Sequence, residues 1–192
     1  MNKTRLEAFS DGVIAILITI MVLELKVPHE ATWTALYEIR PTVLAYVLSF
    51  IYIGIYWNNH HHMMHATHRV SGGVLWANLH LLFWLSLVPW ATAWLGENHL
   101  TPVPTAVYGM ILLAAAIAYY ILLNCILAIE GRDSPLGRAV GKDWKGKISP
   151  IFYAIAIPTA LAGYQYVSDA LYVLVALVWL VPDRRIERTL HR

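Results

Sequence analysis

Two groups of residues in this chain carry chemistry that their surroundings make unusual. Asp11 is the only charge in the apolar run 8–23, and Ser10 and Thr19 are its only hydroxyls. An ionisable group at the centre of a bilayer costs about 2.5–3.5 kcal/mol on insertion scales and rarely faces lipid. Asp11 is therefore expected to be buried against protein or water, where a carboxylate accepts hydrogen bonds or a proton. The second group is a cluster of histidines: His60, His61, His62, His65 and His68. His61 and His65 share one helical face at i, i+4, a spacing that can hold a transition metal. The same imidazoles could equally form a solvated helix end or a structural polar network, and no carboxylate lies within the cluster.

These groups need helices to position them. At about 100° per residue, Ile16, Ile20 and Leu23 fall in a stripe roughly 60° wide, which Phe9 and Gly12 extend downward. Thr19 lies on the flank of that stripe, and Asp11 points roughly to the opposite side. Glu24 is closer to the stripe than to its back. Such periodicity fits a packing face as well as a lining face.

Composition makes the setting a membrane. The 192 residues are 58% hydrophobic and 14% charged, against about 25% charged in a soluble domain. Six apolar segments are expected to be helices that together form a single transmembrane domain spanning 1–192: approximately 8–25, 42–58, 74–95, 106–129, 148–166 and 168–182. The first carries Asp11 and lacks a convincing cleavage site, so it is expected to be retained. Pro28 and Pro41 bracket a polar linker, 131–147 reads as a charged, glycine-rich loop, and Pro89 and Pro158 are expected to kink their helices. A net charge of +2 and the lack of a matching motif give no reason to expect nucleic acid. One cysteine, Cys125, excludes an intrachain disulfide and a cysteine-based metal site. No P-loop, nucleotide-binding glycine motif or nucleophile–base spacing points to an enzyme, and the T-V-G-Y-G filter is missing.

The wording of the first helix is more specific. R-x-x-x-F-S-D at Arg5, Phe9, Ser10 and Asp11 is followed by G-V-x-A-I and T-x-x-x-L-E-L. Later come S-F-x-x-x-G-x-x-W-x-N-H-H at 49–61, W-x-N-L-x-x-L at 76–82 and L-V-P-W-A-T at 87–92. This pattern resembles the signature of the transmembrane protein 175 family, potassium channels of bacteria, archaea and animal lysosomes. The resemblance is dense in the first half of the chain and rests mainly on hydropathy in the second. No second copy of F-S-D occurs, so the chain resembles the single-repeat members.

That resemblance implies an all-α homotetramer of six-helix chains in a prokaryotic plasma membrane, with helix 1 lining a central pore. It implies rings of Ile16, Ile20 and Leu23 as a hydrophobic gate, Thr19 as a contributor to potassium selectivity, and no cofactor beyond the permeant potassium ion. It also names Trp57, His60 and Asn78 as partners of Asp11, and a buried carboxylate does need such donors. Arg5 could anchor at the interface or join this network, and four copies of Glu24 could concentrate cations at an outer mouth. Two other readings stay open: a proton-coupled secondary transporter using Asp11 and the histidines, and a metal- or haem-binding membrane protein built on the histidine cluster.

Orientation follows from the basic residues. With the N-terminus cytoplasmic, Lys26 and Arg40 alone among the 14 Lys and Arg residues fall outside, as the positive-inside rule requires. In a Cys125→Ser background, cysteine labelling is expected to find both termini and 131–147 cytoplasmic. External labelling of that loop in intact cells contradicts six crossings.

Overall fold

The computed structural model describes residues 3–140 and 144–180, and among them every regular element is helical. Helix α1 spans Lys3–Met21 and ends in a 3-10 turn, Val22–Glu24. It is followed by α2 (Trp33–Glu38), α3 (Arg40–His65), α4 (Gly72–Ser86), α5 (Val88–Glu97), α6 (Pro102–Glu130), α7 (Pro135–Val140), α8 (Trp144–Leu161) and α9 (Gln165–Leu180). Four stretches, 3–24, 40–65, 72–97 and 102–130, are long and apolar enough to cross a bilayer. The shorter α8 and α9 complete the six expected segments.

Local chemistry explains most boundaries. Ser71 caps α4 by accepting from the Val74 amide at 3.4 Å, and Thr32 caps α2 from the Ala35 amide at 3.2 Å. Prolines open α3, α5 and α6 in their first turns, where a missing N–H costs nothing. Pro89 kinks its helix as expected: α4 and α5 are parted only at Leu87, whose backbone stays right-handed helical, and 72–97 remains one span. Pro158 lies inside an uninterrupted α8.

Several expected limits move. The second segment, expected to end at 58, runs to His65, because Met63 and Met64 are buried in the core and hold the last turns in place. Part of the loop expected at 131–147 is helical, forming α7 and the first turn of α8. The fifth segment stops at Leu161 rather than 166, because the chain reverses at Gly163, whose φ of 90° suits a residue without Cβ. Of the sixth, 181 and 182 lie outside the described residues, as do the basic residues Lys142, Arg184, Arg185, Arg188 and Arg192.

Helix α6, with 29 residues and about 43 Å of rise, packs against α4, α5, α8 and α9, while α1 lies against α3, α4 and α5. The bundle's ends are tied by polar contacts. At one end Lys3 Nζ donates to the His65 carbonyl at 3.0 Å, a cation at a helix C-terminus. There the amides of His68 and Arg69 also both donate to Glu130 Oε1 at 2.8 Å. At the other end Lys26 pairs with Glu97, and this holds the Lys26 ammonium above its ordinary pKa.

Inside, hydroxyls join helices through hydrogen bonds that need no water. Thr92 Oγ1 donates to Ser49 Oγ at 2.6 Å, and Ser49 and the Tyr108 hydroxyl share a bond of 2.9 Å. Tyr52 donates to the Tyr172 carbonyl at 2.7 Å, and Tyr172 donates to the Thr105 carbonyl at 3.1 Å. Tyr172 reaches α6 because position 109 is glycine: a Cβ there would overlap its hydroxyl. Gly109→Ala is expected to lower stability by about 1–3 kcal/mol, the usual cost of overpacking, seen as a lower melting temperature in detergent. The double variant with Tyr172→Phe, which removes the clashing oxygen, should recover part of the loss.

Candidate functional site

Helix α1 divides into two faces. Leu6, Ser10, Ile14, Leu17 and Met21 are buried within the chain, a 3–4 spacing that makes one continuous packing stripe. The other face is uncovered. Phe9, Ile16, Ile20 and Leu23 are 53%, 59%, 39% and 78% exposed, and a Cβ at Gly12 would meet nothing within 4 Å. The isolated chain thus leaves its expected lining stripe bare and buries the neighbouring one. Thr19 is also exposed, and its hydroxyl donates to the Ile16 carbonyl at 2.9 Å. With the proton committed to the helix backbone, the lone pairs of the Thr19 oxygen are left for an outside donor or cation.

The rotation of α1 is set by a buried polar chain that begins at Ser10. Its hydroxyl donates to the Leu6 carbonyl at 2.9 Å, so the oxygen can only accept from Asn78 Nδ2, also at 2.9 Å. Asn78 Oδ1 then faces His60 Nε2 at 2.8 Å, and that nitrogen must be the donor. One committed hydroxyl proton fixes both the amide orientation and the tautomer of His60. Ser10, His60 and Asn78 are all buried.

This corrects two expectations about Asp11. The carboxylate is only partly buried, and the one expected partner it meets is Trp57, whose Nε1 donates to Oδ1 at 3.1 Å. His60 and Asn78 serve Ser10 instead. The reason is angular: Asp11 is about 100° around the helix from Ser10, so the two adjacent polar groups look toward different neighbours. Trp57 is itself 44% exposed, which leaves the Asp11–Trp57 pair at the flank of the chain. Arg5 is exposed at the start of α1, near the end tied by Lys3.

The histidines do not act as one cluster. His60 turns inward, whereas His61 is exposed and stacked between Trp57 and His65, with ring centroids 5.9 and 6.3 Å away. Among the described residues no three His, Cys, Asp or Glu side chains come together to hold a metal ion. Glu24 is exposed just past the stripe and lines one cleft with Lys26 and Glu97. Sequence reasoning missed Glu97, because only the fold brings the end of α5 beside the end of α1. It also passed over Asp169, although this is the only acid in 148–180. Asp169 is partly buried close to Tyr108 and Tyr172, and its Oδ2 meets no hydrogen-bond donor.

Comparisons with known proteins follow this geometry. Residues 5–89 match the sequence model of the family described as endosomal/lysosomal potassium channel TMEM175. A potassium channel of Chryseobacterium sp. (strain P1-3) is 56% identical over 190 residues, covering 99% of this chain and 98% of that protein. A potassium channel of Streptomyces collinus is 41% identical over 131 residues, 64% of each chain. The crystal structure of a lysosomal potassium-selective channel TMEM175 homolog from Chamaesiphon minutus superposes with a TM-score of 0.82 at 29% identity, covering 93% of this chain and 96% of that one.

The polar chain predicts an order of sensitivity. Asn78→Ala strands the Ser10 oxygen and the His60 N–H inside the bundle, at about 1–3 kcal/mol for each buried unsatisfied group. Trp57→Phe removes one bond at an exposed position. Melting curves in detergent are expected to show a much larger loss for Asn78→Ala than for Trp57→Phe.

Proposed function

This chain belongs to the TMEM175 potassium-channel family, and from that premise we propose that its ion path runs along the uncovered face of α1. It is a multi-pass membrane protein and a potassium channel. The observation that carries the proposed path is the bare stripe of Phe9, Ile16, Ile20 and Leu23, beside a face already packed into the core. A single six-helix chain has too little cross-section to enclose a wet path and still fill its own interior. Four copies, each turning this stripe to a common axis, would bury it and leave a narrow conduit. In this reading the protein is a homotetramer in the plasma membrane of a prokaryote, with the N-terminus cytoplasmic.

The stripe then works as a gate without a carbonyl cage. Rings of Ile16, Ile20 and Leu23 offer water no hydrogen-bond partner, so a sufficiently narrow neck empties and an ion cannot pass without losing its hydration. Tilting or rotating α1 widens the neck and lets water return. Thr19 is the polar exception beside the rings, and its free lone pairs could replace part of the hydration shell of a potassium ion. Glu24 and Glu97 carry two negative charges against Lys26 at the mouth, which would raise the local cation concentration.

Ile16 gives the sharpest test. Four amides in place of four isoleucines would hold water and offer oxygens to a partly dehydrated cation. Ile16→Asn is therefore expected to increase current by about tenfold or more, equivalent to about 1.4 kcal/mol of barrier, and to weaken discrimination between potassium and sodium. Ile16→Leu keeps the ring apolar and should leave both close to wild type. Planar-bilayer recordings check this; unchanged current and selectivity in an assembled Ile16→Asn protein would move the path away from this face.

A further inference from the structure

Helices α3, α6, α8 and α9 leave a narrow cleft of about 80 Å³, on the opposite side of α3 from the Trp57–Asp11 pair. Tyr56, Tyr119, Tyr153 and Trp179 line it, with Ile55, Ala116 and Leu123 supplying aliphatic surface. The side chains of Ser149, Trp179 and Asn59 already have partners. Ser149 Oγ donates to the Lys145 carbonyl at 2.8 Å and accepts from Trp179 Nε1 at 2.8 Å, and Asn59 Nδ2 donates to the Ile55 carbonyl at 2.8 Å. A water entering here would find few groups in need of it, and buried water is held where two to four polar partners await. The narrow, apolar, aromatic-walled space suits a hydrocarbon chain.

The mouth adds a charge. Gly146 and Lys147 border the cleft, no acid among the described residues lines it, and Tyr120 stands beside it, 58% exposed. Lys147 is exposed in the first turn of α8, at the end of the bundle that also carries Arg132 and Arg138. Glu130, the acid at the end of α6, is occupied by the His68 and Arg69 amides. An apolar slot reached past an amphipathic tyrosine and a lysine has the order of a phospholipid at a bilayer surface, chain inward and headgroup outward.

We propose that this cleft is a binding site for one anionic phospholipid of the surrounding leaflet, with a short segment of one acyl chain between α3, α6 and α8 and its phosphate on Lys147. The site is separate from the face of α1 assigned to permeation. Its occupancy is read as mass rather than current, so it stands or fails apart from the proposed ion path.

The experiment is native mass spectrometry of the delipidated full-length channel titrated with phosphatidylglycerol or phosphatidylethanolamine. The expected result is one phosphatidylglycerol retained per chain, with about fivefold preference over phosphatidylethanolamine, the worth of one basic side chain against one anionic headgroup. Lys147→Gln, a surface change, should abolish the preference. Ala116→Leu, which fills the slot, should weaken both lipids while a melting curve confirms the fold. Equal retention of the two lipids by wild type, or an undiminished preference in Lys147→Gln, overturns the proposal. Displacement of phosphatidylglycerol by equimolar oleate overturns it in favour of free fatty acids as the occupant.

Discussion

The arrangement depends on one proton. Because the Ser10 hydroxyl gives its hydrogen to the Leu6 carbonyl, its oxygen has only acceptor capacity left, and Asn78 must turn its amide toward it. His60 completes the chain from α3. Three helices are thereby keyed to one another at a buried point where a wrong rotation would leave polar groups unsatisfied, with no water to rescue them. Apolar packing alone would not specify this rotation, since α1 is aliphatic on most sides. The keyed contact holds Leu6, Ile14, Leu17 and Met21 inward, and so holds Ile16 and Ile20 outward.

The same economy runs through the upper bundle. Thr92, Ser49 and Tyr108 satisfy one another across α5, α3 and α6, while Tyr52 and Tyr172 bond to backbone carbonyls. Thr92 Oγ1 also contacts the Val88 carbonyl at 2.7 Å, in the turn where α5 begins with Pro89. Hydroxyls thus fasten helices to one another and to neighbouring backbone without calling on water.

Much of this was legible in the residues. The stripe of α1 follows from a 3.6-residue period in a long apolar run, but that period fits packing as well as lining, and the lining role came only with the family resemblance. The kink at Pro89 was visible as punctuation, and the interruption at Leu87 is one residue long. What could not be read was partner choice. Ser10 and Asp11 are adjacent in sequence, and both had donors waiting on α3 and α4. Only the packed geometry decides that Asn78 reaches Ser10 while Trp57 reaches Asp11. The histidine run was equally opaque, because His60 and His61 differ by a rotation that composition does not record. Glu97 and Lys26 meet only because two helix ends converge.

The 3-10 turn at Val22–Glu24 has a consequence for register. Such a turn winds about 120° and rises about 2.0 Å per residue, against about 100° and 1.5 Å in an α-helix. Three residues wound this way accumulate a phase lead of about 60° and an extra length of about 1.5 Å. Glu24 is therefore turned further from the stripe than a uniform helix would place it, whereas Leu23 is carried into the column of Ile16 and Ile20. The acid at the mouth and the isoleucine rings below it belong to two differently threaded parts of one chain, like a bolt whose last turns are cut at another pitch.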